Sequence, residues 1–192
     1  MKISVGISNR HVHLKQEDLE KLFGEGYELH KVADLNQPEQ FKAAETVTIK
    51  TKKSEISNVR ILGPVRNYTQ VEISKTDAYK LGINPPIRES GDLLDSAVVT
   101  IVGPNGSVEV EGCIIANRHI HILEEQMRLY GFEGKKTVSV LIPGEKGGII
   151  NNVHLKVSKR NKAFFELHLD TDDANAHFLK QGDVVEILED NK

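Results

Sequence analysis

The stretch SNRHVHL (residues 8–14) places His11 and His13 one residue apart near the start of the chain, and ANRHIHI (116–122) repeats the pattern with His119 and His121. Four of the eight histidines therefore sit in two copies of one motif. Side chains at i and i+2 of a strand project from one face. Each pair can therefore aim both imidazoles at one ion. A bland surface strand has no reason to repeat this arrangement, with the same Asn-Arg flank, at matching places in two halves.

Both copies lead into a similar amphipathic segment. KQEDLEKLFG (15–24) carries Leu19, Leu22 and Phe23 at helical spacing and stops at Gly24. LEEQMRLYG (123–131) carries Leu123, Met127 and Tyr130 and stops at Gly131. Apolar residues three and four apart, closed by glycine, predict a helix with its C-terminal stop. Each half thus reads as a short strand ending in His-x-His, followed by a short helix.

A second correspondence joins VEISKTDAYKLG (71–82) to LHLDTDDANAHFLKQG (167–182), both running from strand into helix. Ser74 and Asp77 have capping-box spacing, and Asp170 and Asp173 play similar parts. Aligning Asp77 with Asp173 sets Glu72 opposite His168, two residue types that bind metals. The remaining chain reads as short strands at 46–50, 59–62, 97–102, 107–112, 138–142, 154–158 and 184–189. Gly, Pro and Asn fill the turns GPNG (103–106) and PGEKGG (143–148). PGEKGG lacks the lysine-Ser/Thr ending of a phosphate loop and reads as a hairpin turn.

The predicted fold is mainly β. It has two small β-barrel domains related by the internal repeat, each capped by short α-helices. The first half spans residues 1–90 and the second 91–192, with the boundary within 84–96 at Pro85-Pro86 and with strands open to exchange between halves.

Neutral imidazole suits zinc and other first-row metals. Three protein ligands with an open position is the grammar of a catalytic zinc site. The repeat alignment supplies the third ligand: Glu72 beside His11 and His13, and His168 beside His119 and His121. Cross-assignment between halves stays open at this level. His30, His154 and His177 lack the repeat and read as surface or partly buried side chains. Arg10 and Arg118 immediately precede histidines, face the other way, and read as structural ion-pairing residues.

Composition excludes several classes of function. The chain has 192 residues, a net charge of −3 and scattered basic residues, with no electrostatic footprint for nucleic acid or an anionic membrane. The basic run KVSKR (156–160) reads as a solvated strand edge. Cys113 is the only cysteine, which precludes an intrachain disulfide and a thiolate-rich metal site; it reads as a small buried apolar residue. No apolar run reaches membrane-span length. The first motif begins at residue 11 and leaves no room for a secretory signal, so a cytoplasmic protein is expected. Exposed strand edges offer a surface for a homodimer.

With SNRHVHL, VRILGPVRNYTQVEIS (59–74), LGINPPIRESGD (81–92), ANRHIHI and LHLDTDDAN (167–175) in order, the chain resembles the phosphate propanoyltransferases over residues 3 to about 189. The resemblance implies transfer of a propanoyl or acetyl group between coenzyme A and inorganic phosphate. It implies two β-barrels and a site for two divalent metal ions, Zn2+. One ion falls to His11, His13 and Glu72, the other to His119, His121 and His168. It also implies a catalytic arginine at Arg66, and Ser8, Arg60, Leu62 and Asn175 around coenzyme A. A guanidinium fork matches phosphate oxygens, and its charge is permanent.

The chain departs from the family pattern in QPEQF (37–41), with Glu39 where glycine is common. Some members carry an N-terminal helix that sends them into bacterial microcompartments; here only a few residues precede the first motif, so a cytoplasmic role in acetate or propanoate metabolism is expected, with propanediol degradation in a microcompartment as the alternative. Two other readings share the ligand set. One is a di-metal acyl-CoA thioesterase using metal-activated water. The other is a non-catalytic metal-binding barrel, which gives no place to Arg66.

Overall fold

The computed structural model describes residues 1–158 and 162–188. Lys159 and Arg160 of the basic run, and Glu189 of the last predicted strand, lie outside the described residues. The strands are β1 (Lys2–Ser8), β2 (His11–His13), β3 (Lys31–Asp34), β4 (Phe41–Lys50), β5 (Glu55–Gly63), β6 (Gln70–Glu72), β7 (Ile87–Arg88), β8 (Ala97–Val102), β9 (Ser107–Ala116), β10 (His119–Ile122), β11 (Thr137–Ile142), β12 (Gly148–Val157), β13 (Glu166–Asp170) and β14 (Val184–Ile187). The helices are α1 (Gln16–Phe23), α2 (Lys75–Leu81), α3 (Glu124–Leu129) and α4 (Thr171–Ala176). The chain is mainly β, as its alternating patterns predict. Among the described residues no helix is long and apolar enough to cross a membrane.

The chain divides into two units, Asn9–Ala116 and Met1–Ser8 with Asn117–Lys192. The division falls elsewhere than the expected 84–96. There Ile115 N bonds Pro86 O and β7 pairs in parallel with β9, so Pro85-Pro86 interrupts regular structure without ending a unit.

In the Asn9–Ala116 unit, β4, β5, β2, β6, β9 and β8 pair in turn, and β8 returns to β4 to close a six-stranded barrel. In the other unit β11, β12, β10, β13, β1 and β14 close a second barrel in the same order and with the same parallel and antiparallel senses. The repeat therefore runs from β1 to β8 and again from β9 to β14, yet the first strand of each copy serves the other copy's barrel. Each His-x-His pair lies on a short strand followed by a short helix, as the sequence predicts, and a separate strand precedes it. Asn9-Arg10 separates β1 from β2 and Asn117-Arg118 separates β9 from β10, and the chain changes barrel at both places.

Each barrel has its own core. Val12, Leu14, Leu19, Leu22, Ile61 and Val71 are fully buried in the first, and Val5, Ile120, Ile122, Val140, Val153 and Leu167 in the second. Apolar Val12 and Ile120 alternate with the histidines, so a strand that buries them in the core must put its imidazoles on the opposite face. Ser74 and Asp77 form the predicted capping box on α2. On α4 Asp170 caps alone, accepting from the Asp172 and Asp173 backbone N–H groups. Both GPNG and PGEKGG close hairpins, between β8 and β9 and between β11 and β12. Glu39 has φ of 67°, a left-handed conformation that glycine adopts without steric cost.

Candidate active site

Strand pairing builds the first trio. His11 stands opposite Glu72 across β2 and β6, and the i, i+2 rule adds His13 on the same face. Ligating atoms of His11, His13 and Glu72 all lie within 4.8 Å of one another. The Nε2 atoms of His11 and His13 lie 3.4 and 3.9 Å from the Glu72 carboxylate oxygens. His11 Nδ1 sits 2.8 Å from the Asn9 carbonyl, and His13 Nδ1 sits 3.3 Å from that of Leu62. With Nδ1–H donated to a carbonyl, each ring is fixed in the tautomer that leaves the Nε2 lone pair for a cation.

The second trio repeats the register, with His119 opposite His168 across β10 and β13. His119, His121 and His168 meet the same 4.8 Å criterion. His119 Nδ1 sits 2.7 Å from the Asn117 carbonyl, matching His11 with Asn9. Its Nε2 approaches His121 Nε2 to 3.2 Å, a spacing at which two imidazoles need a proton or a cation to share. In each trio the third residue therefore comes from the same barrel as the histidine pair. His154 lies beside His119 within β12 but outside the trio. His30 bonds Glu45, and His177 sits against the Lys146 carbonyl.

The electrostatics of the first trio favour a bound cation. Burial pushes the His11 imidazolium down, but the Glu72 carboxylate outweighs it by charge and hydrogen bond and holds His11 above the usual histidine range. Burial, then the charges of His11 and Arg66, hold His13 well below that range, so its ring is neutral. Two buried imidazoles around one carboxylate, their second nitrogens against carbonyls, offer nitrogen and oxygen donors that fit a divalent ion such as zinc, which would take the place of the proton that Glu72 favours on His11.

Arg66 follows β5 in the same unit, with its backbone N–H on the Leu14 carbonyl. Its Nη1 donates to Tyr68 Oη at 3.0 Å and Ser90 Oγ at 3.2 Å. Among the described residues its side-chain bonds to protein all use Nη1, which leaves the Nε/Nη2 fork as donors. Fully buried Gln70 donates from Nε2 to Ser90 Oγ at 2.9 Å and to Glu72 Oε1 at 2.5 Å, while its Oε1 accepts from Gly91 N. A continuous polar run thus joins Arg66 to a trio carboxylate. Sequence reasoning missed Tyr68, Gln70 and Ser90. The signal for Gln70 was available, since it lies two residues before Glu72 on one face of β6.

Arg10 pairs with buried Asp77 through Nε–Oδ2 and Nη2–Oδ1 contacts of 2.8 Å each, and Arg118 pairs with Asp173 at 2.9 Å. Both arginines are ion-pairing residues, turned from the histidine face as the sequence predicts. Burial holds the Asp173 carboxyl above its ordinary range despite Arg118.

The four residues assigned to coenzyme A divide between the units. Arg60 and Leu62 lie on β5, where Arg60 is in register with His11 and its Nη1 donates to the Ala43 and Ala44 carbonyls at 3.0 and 2.7 Å. Ser8 ends β1 opposite Asp170, and Asn175 lies exposed on α4, the helix that Asp170 caps.

A family model described as phosphate propanoyltransferase matches residues 4–180. The chain belongs to the phosphate propanoyltransferase family. Curated relatives of that name are similar over nearly their whole length. The one from Thermotoga maritima is 52% identical over 97% of this chain and 89% of the relative. That from Rhodopseudomonas palustris is 45% identical over 97% and 82%, and that from Salmonella typhimurium 43% over 91% and 82%. Phosphate propanoyltransferases are acyltransferases, and the trios, Arg66 and the Gln70–Ser90 link all lie within the matched span.

Proposed function

We propose that this chain moves a short acyl group, propanoyl or acetyl, between coenzyme A and inorganic phosphate: acyl-CoA plus phosphate gives acyl phosphate plus CoA. One observation carries the reading. Arg66 keeps a two-donor fork while its other nitrogen is anchored, through Ser90 and Gln70, to the buried carboxylate Glu72.

Phosphate is a poor nucleophile toward a thioester unless it is held and aimed. The Nε/Nη2 fork of Arg66 holds two phosphate oxygens, and Tyr68 and Ser90 fix the guanidinium plane. Positioning of this kind contributes up to about 7–11 kcal/mol when both reactants are oriented. A phosphate oxygen attacks the thioester carbonyl carbon, the C–O bond forms, the C–S bond breaks, and CoA departs as its thiolate. His11, His13 and Glu72 in one barrel, and His119, His121 and His168 in the other, would each hold a divalent cation. When bound, such an ion supplies Lewis-acid stabilisation of negative charge on the reacting carbonyl oxygen and the leaving sulfur. Arg60 retains donors beyond its Nη1 for a phosphate of coenzyme A, with Ser8, Leu62 and Asn175 as further contacts.

Transfer is direct, without an acyl-enzyme. Cys113 is buried within the barrel, and burial with the nearby Asp77 charge pushes its thiol up to about 12, which leaves no thiolate to carry an acyl group. The test is CoA release from propanoyl-CoA with and without phosphate. Release that requires phosphate and yields acyl phosphate supports the transferase; equal release without phosphate selects a hydrolase and sinks this reading.

A further inference from the structure

The two trios differ in charge, and the difference is offset two residues away on the same strand face. On β6 the neutral Gln70 lies two residues before Glu72; on β13 Glu166 lies two residues before His168. Gln70 faces His13 in register, and Glu166 faces His121. Each trio therefore has one carboxylate on its strand face, a ligand in one barrel and a neighbour of the ligand in the other. Glu166 is buried, and its Oε2 lies 2.9 Å from His168 Nε2. It stands outside the group whose donor atoms converge within 4.8 Å.

The opposite strand is shaped around this pair. Gly6 on β1 is in register with His168. A Cβ at Gly6 would stand 2.8 Å from Glu166 Cδ and Oε2, closer than such atoms approach, and a tight 3.0 Å from His168 Cδ2. A side chain at residue 6 and the Glu166–His168 pair cannot both occupy this space unchanged.

We propose that Glu166 is a positioning residue for the three-histidine trio. Its carboxylate accepts the Nε2–H of His168, fixes that tautomer, and leaves the Nδ1 lone pair of His168 for a divalent cation shared with His119 and His121. The inference rests on the reading of that trio as a cation site. A carboxylate behind a ligating imidazole orients the ring and raises its basicity, and losing such a partner typically weakens metal affinity about 10- to 100-fold. It also returns to this trio the negative charge that Glu72 gives the other.

The test uses the full chain loaded with Zn2+ and titrated with a chromophoric chelator. The unsubstituted chain should release two equivalents, and His168→Ala should identify the one held by the three-histidine trio. Glu166→Ala should weaken that equivalent by about 10- to 100-fold and leave the other unchanged. Glu166→Gln, which still accepts a hydrogen bond, should fall between. Gly6→Ala should reproduce the loss by displacing the same pair. Thermal unfolding of the metal-free variants separates packing from positioning. A lowered midpoint with unaltered zinc affinity in Glu166→Ala and Gly6→Ala overturns the proposal. If His168→Ala releases the same two equivalents, the cation reading of this trio fails, and this proposal with it.

Discussion

Arg66 donates through Nη1 to Ser90 Oγ at 3.2 Å, and Gln70 donates to the same oxygen at 2.9 Å. Ser90 thus couples the guanidinium to the amide that holds Glu72. Replacing Arg66 by Ala should lower kcat/KM for phosphate-dependent CoA release by at least about 10²- to 10³-fold, the scale for removing one preorganised neutral donor from a transition state. Metal content should persist, since Arg66 is outside both trios. Arg66→Lys keeps the charge without the fork and should recover only part of the loss. Full activity in Arg66→Ala would remove the arginine from the reaction.

Each trio should answer separately to removal of its ligands. Elemental analysis of His13→Ala or Glu72→Gln should find one divalent equivalent fewer than the unsubstituted chain, and His121→Ala should likewise lose one. Chelation should lower the thermal midpoint, because an ion that binds only the folded chain stabilises it by mass action. Equal metal content in all three variants would argue against these ligand sets.

The two arginines that follow the repeated asparagines should differ in their contribution to stability. The two arginine side chains are equally exposed, but the Asp77 side chain is 5% exposed and held by two contacts with Arg10, whereas that of Asp173 is 26% exposed. Arg10→Ala leaves a buried carboxylate unpaired and should cost about 2–3 kcal/mol, below the full figure for a buried pair because the guanidinium is part-exposed. Arg118→Ala should cost about 1 kcal/mol or less. Urea unfolding of the two variants checks the order.

Cys113 should resist modification in the folded chain. With its thiol pushed up to about 12 and its side chain inaccessible, it should not react with an alkylating reagent at pH 8 until denaturant is added. Cys113→Ala should retain turnover. Rapid native labelling, or loss of activity in that variant, would reopen an acyl-cysteine route.

Glu45 should contribute to acid sensitivity. Burial pushes its carboxyl up, but hydrogen bonds from the His30 ring and backbone and from Tyr27 outweigh this and hold it below the usual carboxylate value. A depressed carboxyl stabilises the fold above its unfolded pKa, and that stability is lost as pH falls through the folded value. Glu45→Gln should be less stable at neutral pH and show a shallower loss of stability below about pH 4.5, the model-peptide region for glutamate. Unchanged acid unfolding would exclude Glu45 as a contributor.

Much of this arrangement was legible along the chain because its cues are local. A two-residue period puts both imidazoles of a pair on one face. The capping residues Ser74 and Asp170 announce α2 and α4, and the turns GPNG and PGEKGG announce hairpins. Aligning two copies of one repeat was enough to set Glu72 and His168 at equivalent places. Gln70 and Glu166 lie two residues before these ligands and could have been found by the same rule. Tyr68 and Ser90 could not, since no periodicity ties them to Arg66.

Sequence by itself determined the mainly β character, the duplication and the face on which each histidine pair lies, since these follow from side-chain direction and hydrophobic spacing over a few residues. Only the tertiary structure decided which barrel each copy's first strand would enter, and that β6 and β13 would stand opposite the histidine strands in matching register. Strand partnership is a long-range choice, made by hydrogen-bond ladders and core packing between segments scores of residues apart, and a one-dimensional pattern does not encode which ladder closes which barrel.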